Sequence, residues 1–238
     1  MSAGLDPLDV KRVVKLLPKE LRDILQKTPG LVVAGGLVRA AVSGDRVSDI
    51  DVFAPNLTVA RAAATLYEKQ IEVDTRQIET PNAITVLAED KRKAVQFITR
   101  WTFDDPTRLI YSFDFSIARA AVWWEKGGNQ WASACDSRFY VDLAARRLVF
   151  MKPEDNTAGG TLLRVQKFVR LGYRISAFQM AAVVMNLARQ AGAEERVLHK
   201  TERLIKEVDP RSPEWEDEVE PAPAAAADAA PSDDDPEF

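Results

Sequence analysis

With 238 residues and an apolar fraction of 46%, the chain has material for one sizeable core, or for one domain with a small helical appendage. Its net charge of −4 is uneven: residues 207–238 carry −11, leaving +7 on residues 1–206, a basic body compatible with a polyanionic substrate such as a nucleotide or RNA. One cysteine, Cys135, and one histidine, His199, exclude an intrachain disulfide and a Cys/His zinc cluster, and no apolar run approaches the roughly 20 residues that cross a bilayer.

The opening segment MSAGLDPLDVKRVVK lacks the pattern of a signal peptide, so a cytoplasmic protein with no membrane partner is expected. Val10, Val13, Val14 and Leu17 share one helical face, and Pro18 is placed to begin a second helix carrying Leu21, Ile24 and Leu25. Pro29 and Gly30 end it. LVVA reads as a short buried strand, LVRAAVS as a short helix, DIDVFA as a second strand, and TVARAAATLYEKQ as a helix with its alanines, Leu66 and Tyr67 toward the core.

The period then changes. EVDTRQI, AITVLA, AVQFITRW and YSFDFSIARAAVWW are rich in β-branched and aromatic residues and read as strands, with one or two helical turns at DDPTRLI. RFYVDLAARRLVF reads as strand, turn and strand. Helical spacing returns in TLLRVQKFVRLG and in SAFQMAAVVMNLARQAG, which opens with the capping-box pair Ser176 and Gln179 and has Met180, Val183, Val184 and Leu187 as its core face. A third helix is expected to about Val208, with His199 on its surface, followed by an acidic, Ala- and Pro-rich tail too poor in apolar residues to build a core. The expected organisation is an α/β head over residues 1–158, a helical domain over 159–206 and a disordered acidic tail over 207–238.

The chemistry concentrates in VVAGGLVRAAVSGDRVSDIDVF. A glycine pair between a strand and a helix lets backbone approach a ligand, and the helix start supplies free N–H groups and a positive dipole end, which suits phosphate; the same pair is also a common tight turn. Asp49 and Asp51, two apart on a strand, point to one face, where they either grip a metal or end the strand as two solvated acids. Without a Cys/His site, the metal would be a hard cation, Mg²⁺ (or Mn²⁺), with Asp114 of SFDFSIA as the third carboxylate from a neighbouring strand. Arg39, Arg46, Lys152, Arg164, Lys167 and Arg170 are further candidates for triphosphate or acceptor contact, the last three forming one helical stripe that faces either the site or solvent. Of Trp101, Trp123, Trp124 and Trp131, core packing accounts for most, and the adjacent Trp123 and Trp124 point to opposite faces of a strand.

The combination GGLVRAAVSGDRVSDIDVF resembles the nucleotidyltransferase superfamily, most closely the head domain of CCA-adding enzymes and bacterial poly(A) polymerases. Gly35, Gly36, Val38, Arg39, Gly44, Asp49 and Asp51 fall on its Gly-Gly-x-Val-Arg-Asp … Asp-x-Asp pattern. FDFSIARAA is similar to the family's Arg-Arg-Asp-Phe-Thr-x-Asn-Ala motif, and LLRVQKFVRLGYRIS to its neck helix, so the resemblance covers about residues 30–176. The stretch from PNAITVLAEDKRKAVQFITRW to SFDFS also looks like stand-alone nucleotidyltransferase-like proteins of phages and large viruses.

The resemblance implies a mixed sheet flanked by helices and metal-dependent transfer of a nucleoside monophosphate from an NTP to an acceptor hydroxyl on RNA, tRNA or protein, releasing pyrophosphate. Asp49, Asp51 and Asp114 would be catalytic metal ligands, and Gly35, Gly36, Arg39 and Ser48 would bind the nucleotide. The chain departs from the pattern at Ala40 (for Asp), Ser112-Phe113 (for Arg-Arg) and Ala118 (for Asn), and Glu154 and Asp155 lie too far from Arg164 for the base-selecting motif. Two other readings stay open: an idle nucleotidyltransferase fold that only binds, as a phage accessory protein, and a toxin-like modifier of protein or tRNA. The terminal SDDDPEF resembles the acidic, Phe-ended tips of single-strand DNA-binding proteins, which dock partner proteins or compete with nucleic acid, and it reads also as a solubilising tail.

Overall fold

The computed structural model of the protein describes residues 3–71, 73–89, 92–152 and 158–191. Two helices come first, α1 (Pro7–Leu16) and α2 (Lys19–Lys27). Asp6 caps α1 by accepting the Leu8 N–H, and Pro7 sits where the missing donor costs nothing. The unit at the centre of the fold is β1 (Val32–Ala34), α3 (Gly36–Ser43) and β2 (Asp49–Phe53). It is followed by α4 (Leu57–Gln70), whose N-cap Asn56 accepts the Val59 N–H, then by β3 (Thr75–Glu79), β4 (Ala83–Ala88) and β5 (Ala94–Ile98).

Further along are α5 (Pro106–Tyr111), a 3₁₀ turn at Ser116–Ala118, β6 (Ala120–Glu125) and β7 (Gln130–Cys135). Then come α6 (Phe139–Ala144), β8 (Arg147–Leu148), α7 (Ala158–Arg170), β9 (Arg174–Ile175) and α8 (Ala177–Ala191). Strands β1 to β7 form one mixed sheet in the order β3-β4-β5-β2-β1-β6-β7, and β8 pairs with β9. Within the large sheet only β2 and β5 run parallel, joined by a crossover through α4 and the β3–β4 hairpin.

The two faces of the sheet are covered unequally. On one face, Val13, Leu21, Ile24 and Leu25 of the first helices, Val38 of α3 and Tyr67 of α4 pack on Ile50, Val52, Val95 and Phe97 in the main core. Val165, Phe168, Tyr173 and Val183 join the same cluster from α7, α8 and the turn between them, each burial worth about 1.5–3 kcal/mol. On the other face a smaller cluster of Val32, Ala34, Phe53, Leu109, Ile110 and Ala121 lies under α5. This face carries polar residues where α5 does not reach.

Three expectations change on folding. The segment around Asp114 is not a strand: Phe115 makes a single bridge to Phe150, the chain winds through the 3₁₀ turn, and β6 starts only at Ala120. The cause is buried Arg119, whose guanidinium donates to the carbonyls of Phe113 (2.8 Å) and Tyr111 (3.1 Å) and folds that stretch back on itself. The first strand expected in RFYVDLAARRLVF is instead helix α6. Its Phe139 and Leu143 lie one turn apart in the core, and Arg138 reaches Asp142 across the same interval. Finally, Leu66 and Val184 are 38% and 49% exposed, so neither is a core position.

Strand β7 was not anticipated, and its Trp131 stacks edge-on against Trp124 at 5.3 Å, while Trp123 packs against the cluster under α5. Ser176 accepts the Gln179 N–H at 3.2 Å, but the Gln179 side chain turns outward to accept the Phe150 N–H at 2.7 Å, so only half of a capping box forms. The expected third helix with His199, the acids Glu154 and Asp155, and the tail over 207–238 lie outside the described residues.

Candidate functional site

Strand β1 ends at Ala34, and the chain must reverse at once into α3. Gly35 makes that turn at φ +71° and ψ −119°, a left-handed conformation that L side chains rarely adopt, and a Cβ here would come within 3.0 Å of the Phe113 ring. A Cβ on Gly36 would meet nothing within 4 Å, so its glycine leaves open space above the start of α3. The Gly35 N–H is spent on the Ala120 carbonyl (3.0 Å), and Arg39 is the residue whose N–H returns to the Gly35 carbonyl (3.0 Å). The N–H groups of Gly36, Leu37 and Val38 therefore have no intrahelical acceptor, and no side chain caps them. They form a small positive end ready for an anionic oxygen.

The acids lie beside this turn. Val33 pairs with Val52, so one further step of register sets Ala34, the last residue before the turn, opposite Asp51. Alternation along β2 sends Ile50 and Val52 into the main core and leaves Asp49 and Asp51 half-buried on the opposite face. Gln96 of β5 is in register with Asp51, and Thr85 of β4 with Gln96, so a polar row runs across the sheet beside the acids. Ser48 donates its hydroxyl to Asp49 Oδ1 at 2.5 Å. Burial, reinforced by repulsion from Asp49 and only partly offset by Lys167 of α7, pushes the Asp51 carboxyl up to about 7. A pair of acids that the protein holds together against their own repulsion is a donor set suited to a hard cation.

The remaining expected site residues are placed elsewhere. Asp114 is 2% exposed, and its Oδ2 accepts from Thr161 Oγ1 (2.7 Å) and from Arg164 Nε (2.7 Å), both on α7. Among the described residues no three Asp, Glu, His or Cys side chains form a group able to hold a metal, so Asp114 is not gathered with Asp49 and Asp51. Arg39, expected at the triphosphate, is 4% exposed and bonded to Asp45 Oδ2 at 2.6 Å, with its guanidinium over the rings of Phe168 (5.4 Å) and Tyr173 (5.7 Å). Arg146 binds the same Asp45 at 2.9 Å. Burial alone would raise the Asp45 carboxyl, but the neighbouring Ser43, Arg146 and Arg39 together hold it below the usual carboxylate range. Arg39 thus ties α3 to the end of α7 through the Phe168 and Tyr173 rings, while Asp45, just after α3, answers its buried charge.

Of the residues by the acids, Gln96 was not named from the sequence, and Lys167 was named only among the possible triphosphate or acceptor contacts. Lys167 was legible only as one member of a basic helical stripe. Gln96, polar in the middle of AVQFI, was detectable only as a break in an apolar alternation.

Residues 9–146, more than half of the chain, match the family model of the Gabija anti-defense 2 proteins. The chain belongs to the Gabija anti-defense 2 family. A search among curated proteins gives no match. Among solved structures, the fold is similar to the Thermotoga maritima CCA-adding enzyme complexed with tRNA, with a TM-score of 0.54 and 16% identity over 89% of this chain and 57% of that one. It is similar also to a CCA-adding enzyme in complex with ATP, with a TM-score of 0.58 and 15% identity over 87% of this chain and 51% of that one. A tRNA-processing enzyme complex matches with a TM-score of 0.50 and 17% identity, over 79% of this chain and 57% of that one. The chain thus spans little more than half the length of these neighbours, and at such identities the likeness is one of fold: a nucleotidyltransferase-like α/β head.

Proposed function

We propose that this member of the Gabija anti-defense 2 family transfers a nucleoside monophosphate from an NTP to an acceptor hydroxyl, on RNA, tRNA or protein, with release of pyrophosphate. The observation that carries the reading is the adjacency of the Gly35–Gly36 turn and the Asp49/Asp51 pair at one end of neighbouring strands. In this reading residues 1–158 are the catalytic head, and α7 and α8 pack on it as the described part of the helical domain expected over 159–206.

Each group then has a part. The N–H groups at the start of α3 donate to triphosphate oxygens, and Gly36 keeps the approach clear of a Cβ. Asp49 and Asp51 would hold Mg²⁺ or Mn²⁺, and Ser48 orients Asp49 through its hydroxyl bond. When bound, such a cation activates the attacking hydroxyl and steadies the charge on the triphosphate and departing pyrophosphate. Lys167 adds positive charge beside Asp51, and Gln96 offers an amide for a ribose or base. Asp114, bonded to Thr161 and Arg164, anchors α7 in this reading rather than meeting the metal. The setting inferred from the family is the countering of the Gabija defence by a phage.

A second reading, an idle fold that binds nucleotide or a partner without transfer, draws on one specific observation: both Asp114 and Arg39 are spent on internal ion pairs. Incubation of the protein and of Asp49→Ala/Asp51→Ala with each labelled NTP, Mg²⁺ or Mn²⁺ and total RNA or lysate separates the two. Labelled acceptor that disappears in the variant supports transfer. Intact NTP binding with no labelled acceptor from any mixture establishes the binding module instead.

A further inference from the structure

Away from the acid pair, a second concave site opens between α1 and β7. The N-terminal segment covers the Cys135 end of the strand: Ala3 exchanges both backbone bonds with Cys135, at 3.0 and 2.7 Å, and the Leu5 N–H bonds the Ser133 hydroxyl at 3.0 Å. Next to this covered stretch, α1 and β7 enclose a cavity of about 590 Å³, within the size range of small-molecule sites. Helix α1 turns Val13 and Leu17 into the main core, which leaves Val10 and Val14 on the shoulder that lines the cavity. Trp131 lines it from β7, half-buried and braced edge-on by Trp124 at 5.3 Å. The cavity lies on the face of the sheet opposite Asp49 and Asp51, with β1 and β6 between β7 and β2.

The rim of this apolar cavity is basic. Lys11 and Lys15 stand one turn apart on α1, about 6 Å along its axis, and Arg22 of α2 completes the row. None of the three is ion-paired among the described residues. Three of the nearby acids are engaged elsewhere: Asp6 caps α1, Asp9 binds Arg12 (2.8 Å) and the Tyr140 hydroxyl (2.9 Å), and Glu20 binds Arg92 (3.1 Å). The rim thus keeps its positive charge for an anion from outside.

A flat indole beside a short row of cations matches the two repeating parts of a single-stranded nucleic acid, the base and the phosphate. An acyl chain would fill the apolar wall but bring a single charge, and an acidic peptide would answer the cations but not the indole. We propose that this cavity binds single-stranded nucleic acid, with one base stacked on Trp131 beside Val10 and Val14 and the adjoining phosphates on Lys11, Lys15 and Arg22. The inference concerns binding and stands apart from the transfer reading above.

The test is the fluorescence anisotropy of a labelled single-stranded dodecanucleotide, as RNA and as DNA, titrated with the full chain. Trp131→Ala should weaken binding by about tenfold, the loss expected for one base stack, and Trp131→Phe should recover part of it. Lys11→Ala/Lys15→Ala, two exposed positions, should keep the urea midpoint, weaken binding and flatten the slope of log K against log salt by about 1.4. The same differences should appear in an Asp49→Ala/Asp51→Ala background, which separates this cavity from the transfer site. Binding of RNA alone, DNA alone or both supports the proposal and names the sugar. Affinity and salt slope that are unchanged in the Trp131 and lysine variants overturn it. So does a wild type that binds neither oligonucleotide, or that binds only a labelled polyglutamate peptide.

Discussion

Two sets of aspartates in the same fold are treated in opposite ways. Asp45, Asp114 and Asp142 are each met by arginine: Arg39 and Arg146 at Asp45, Arg164 at Asp114, Arg138 and Arg147 at Asp142. Asp49 and Asp51 have no arginine or lysine within ion-pair distance among the described residues and face each other instead. The difference separates carboxylates that the chain consumes in internal ion pairs from carboxylates that no arginine of the described residues answers. An internal ion pair removes an acid from chemistry as surely as a mutation would.

Substitutions should therefore divide cleanly. The largest effect belongs to the pair facing itself: Asp49→Ala/Asp51→Ala should lower labelled transfer by about 10³-fold or more, with no loss in urea midpoint, because a repulsion is removed along with the ligands. A large drop in midpoint would move these acids into the structural set.

Asp142 is fully buried and accepts from Ser116 (2.7 Å), Arg138 and Arg147. Asp142→Ala should cost about 3 kcal/mol in urea unfolding and leave NTP binding per folded molecule unchanged. Burial alone would raise this carboxyl, but Ser116, Arg147 and Arg138 bring it below the usual range. Its stabilisation is thus complete above the ordinary carboxylate pKa and is lost as pH falls through the lowered folded value. Stability of the wild type should fall between about pH 5 and pH 3, and that of Asp142→Asn should fall less steeply over the same interval.

Arg39 sharpens the comparison because the resemblance assigned it to phosphate. Arg39→Met should lose about 2 kcal/mol in the same measurement with an unchanged KM for NTP, since Met can fill the space over Phe168 but cannot answer Asp45. A raised KM at full stability would return Arg39 to the site. The smallest effect is expected at Gly35→Ala, about 1–2 kcal/mol from the left-handed backbone and the ring at 3.0 Å. Adding Phe113→Leu should recover only the part due to the ring, as read from the two midpoints.

Much of this was legible in the residues. The strand-turn-helix-strand unit from Val32 to Phe53 announces itself because its signals are local: an apolar run, a glycine pair, a short helical period and an alternation that sets Asp49 and Asp51 on one face. The position of Asp114 was not legible, because its neighbours Phe113 and Phe115 have strand propensity while its conformation is dictated by Arg119 and its partner by Arg164, fifty residues away. The aromatic, β-branched start of α6 misled for the same reason: Phe139 and Leu143 are placed by the core they fill, not by their own preference.

By itself the sequence determined the turn after β1 and the acid pair of β2, since a turn that needs glycine and two acids at strand spacing depend only on neighbours along the chain. Only the tertiary structure decided which charges remain available there. Ion pairs join residues that are far apart in sequence, so whether Arg39 and Asp114 are spent, or Lys167 and Gln96 brought in, becomes defined once α7 and β5 have packed against the same sheet.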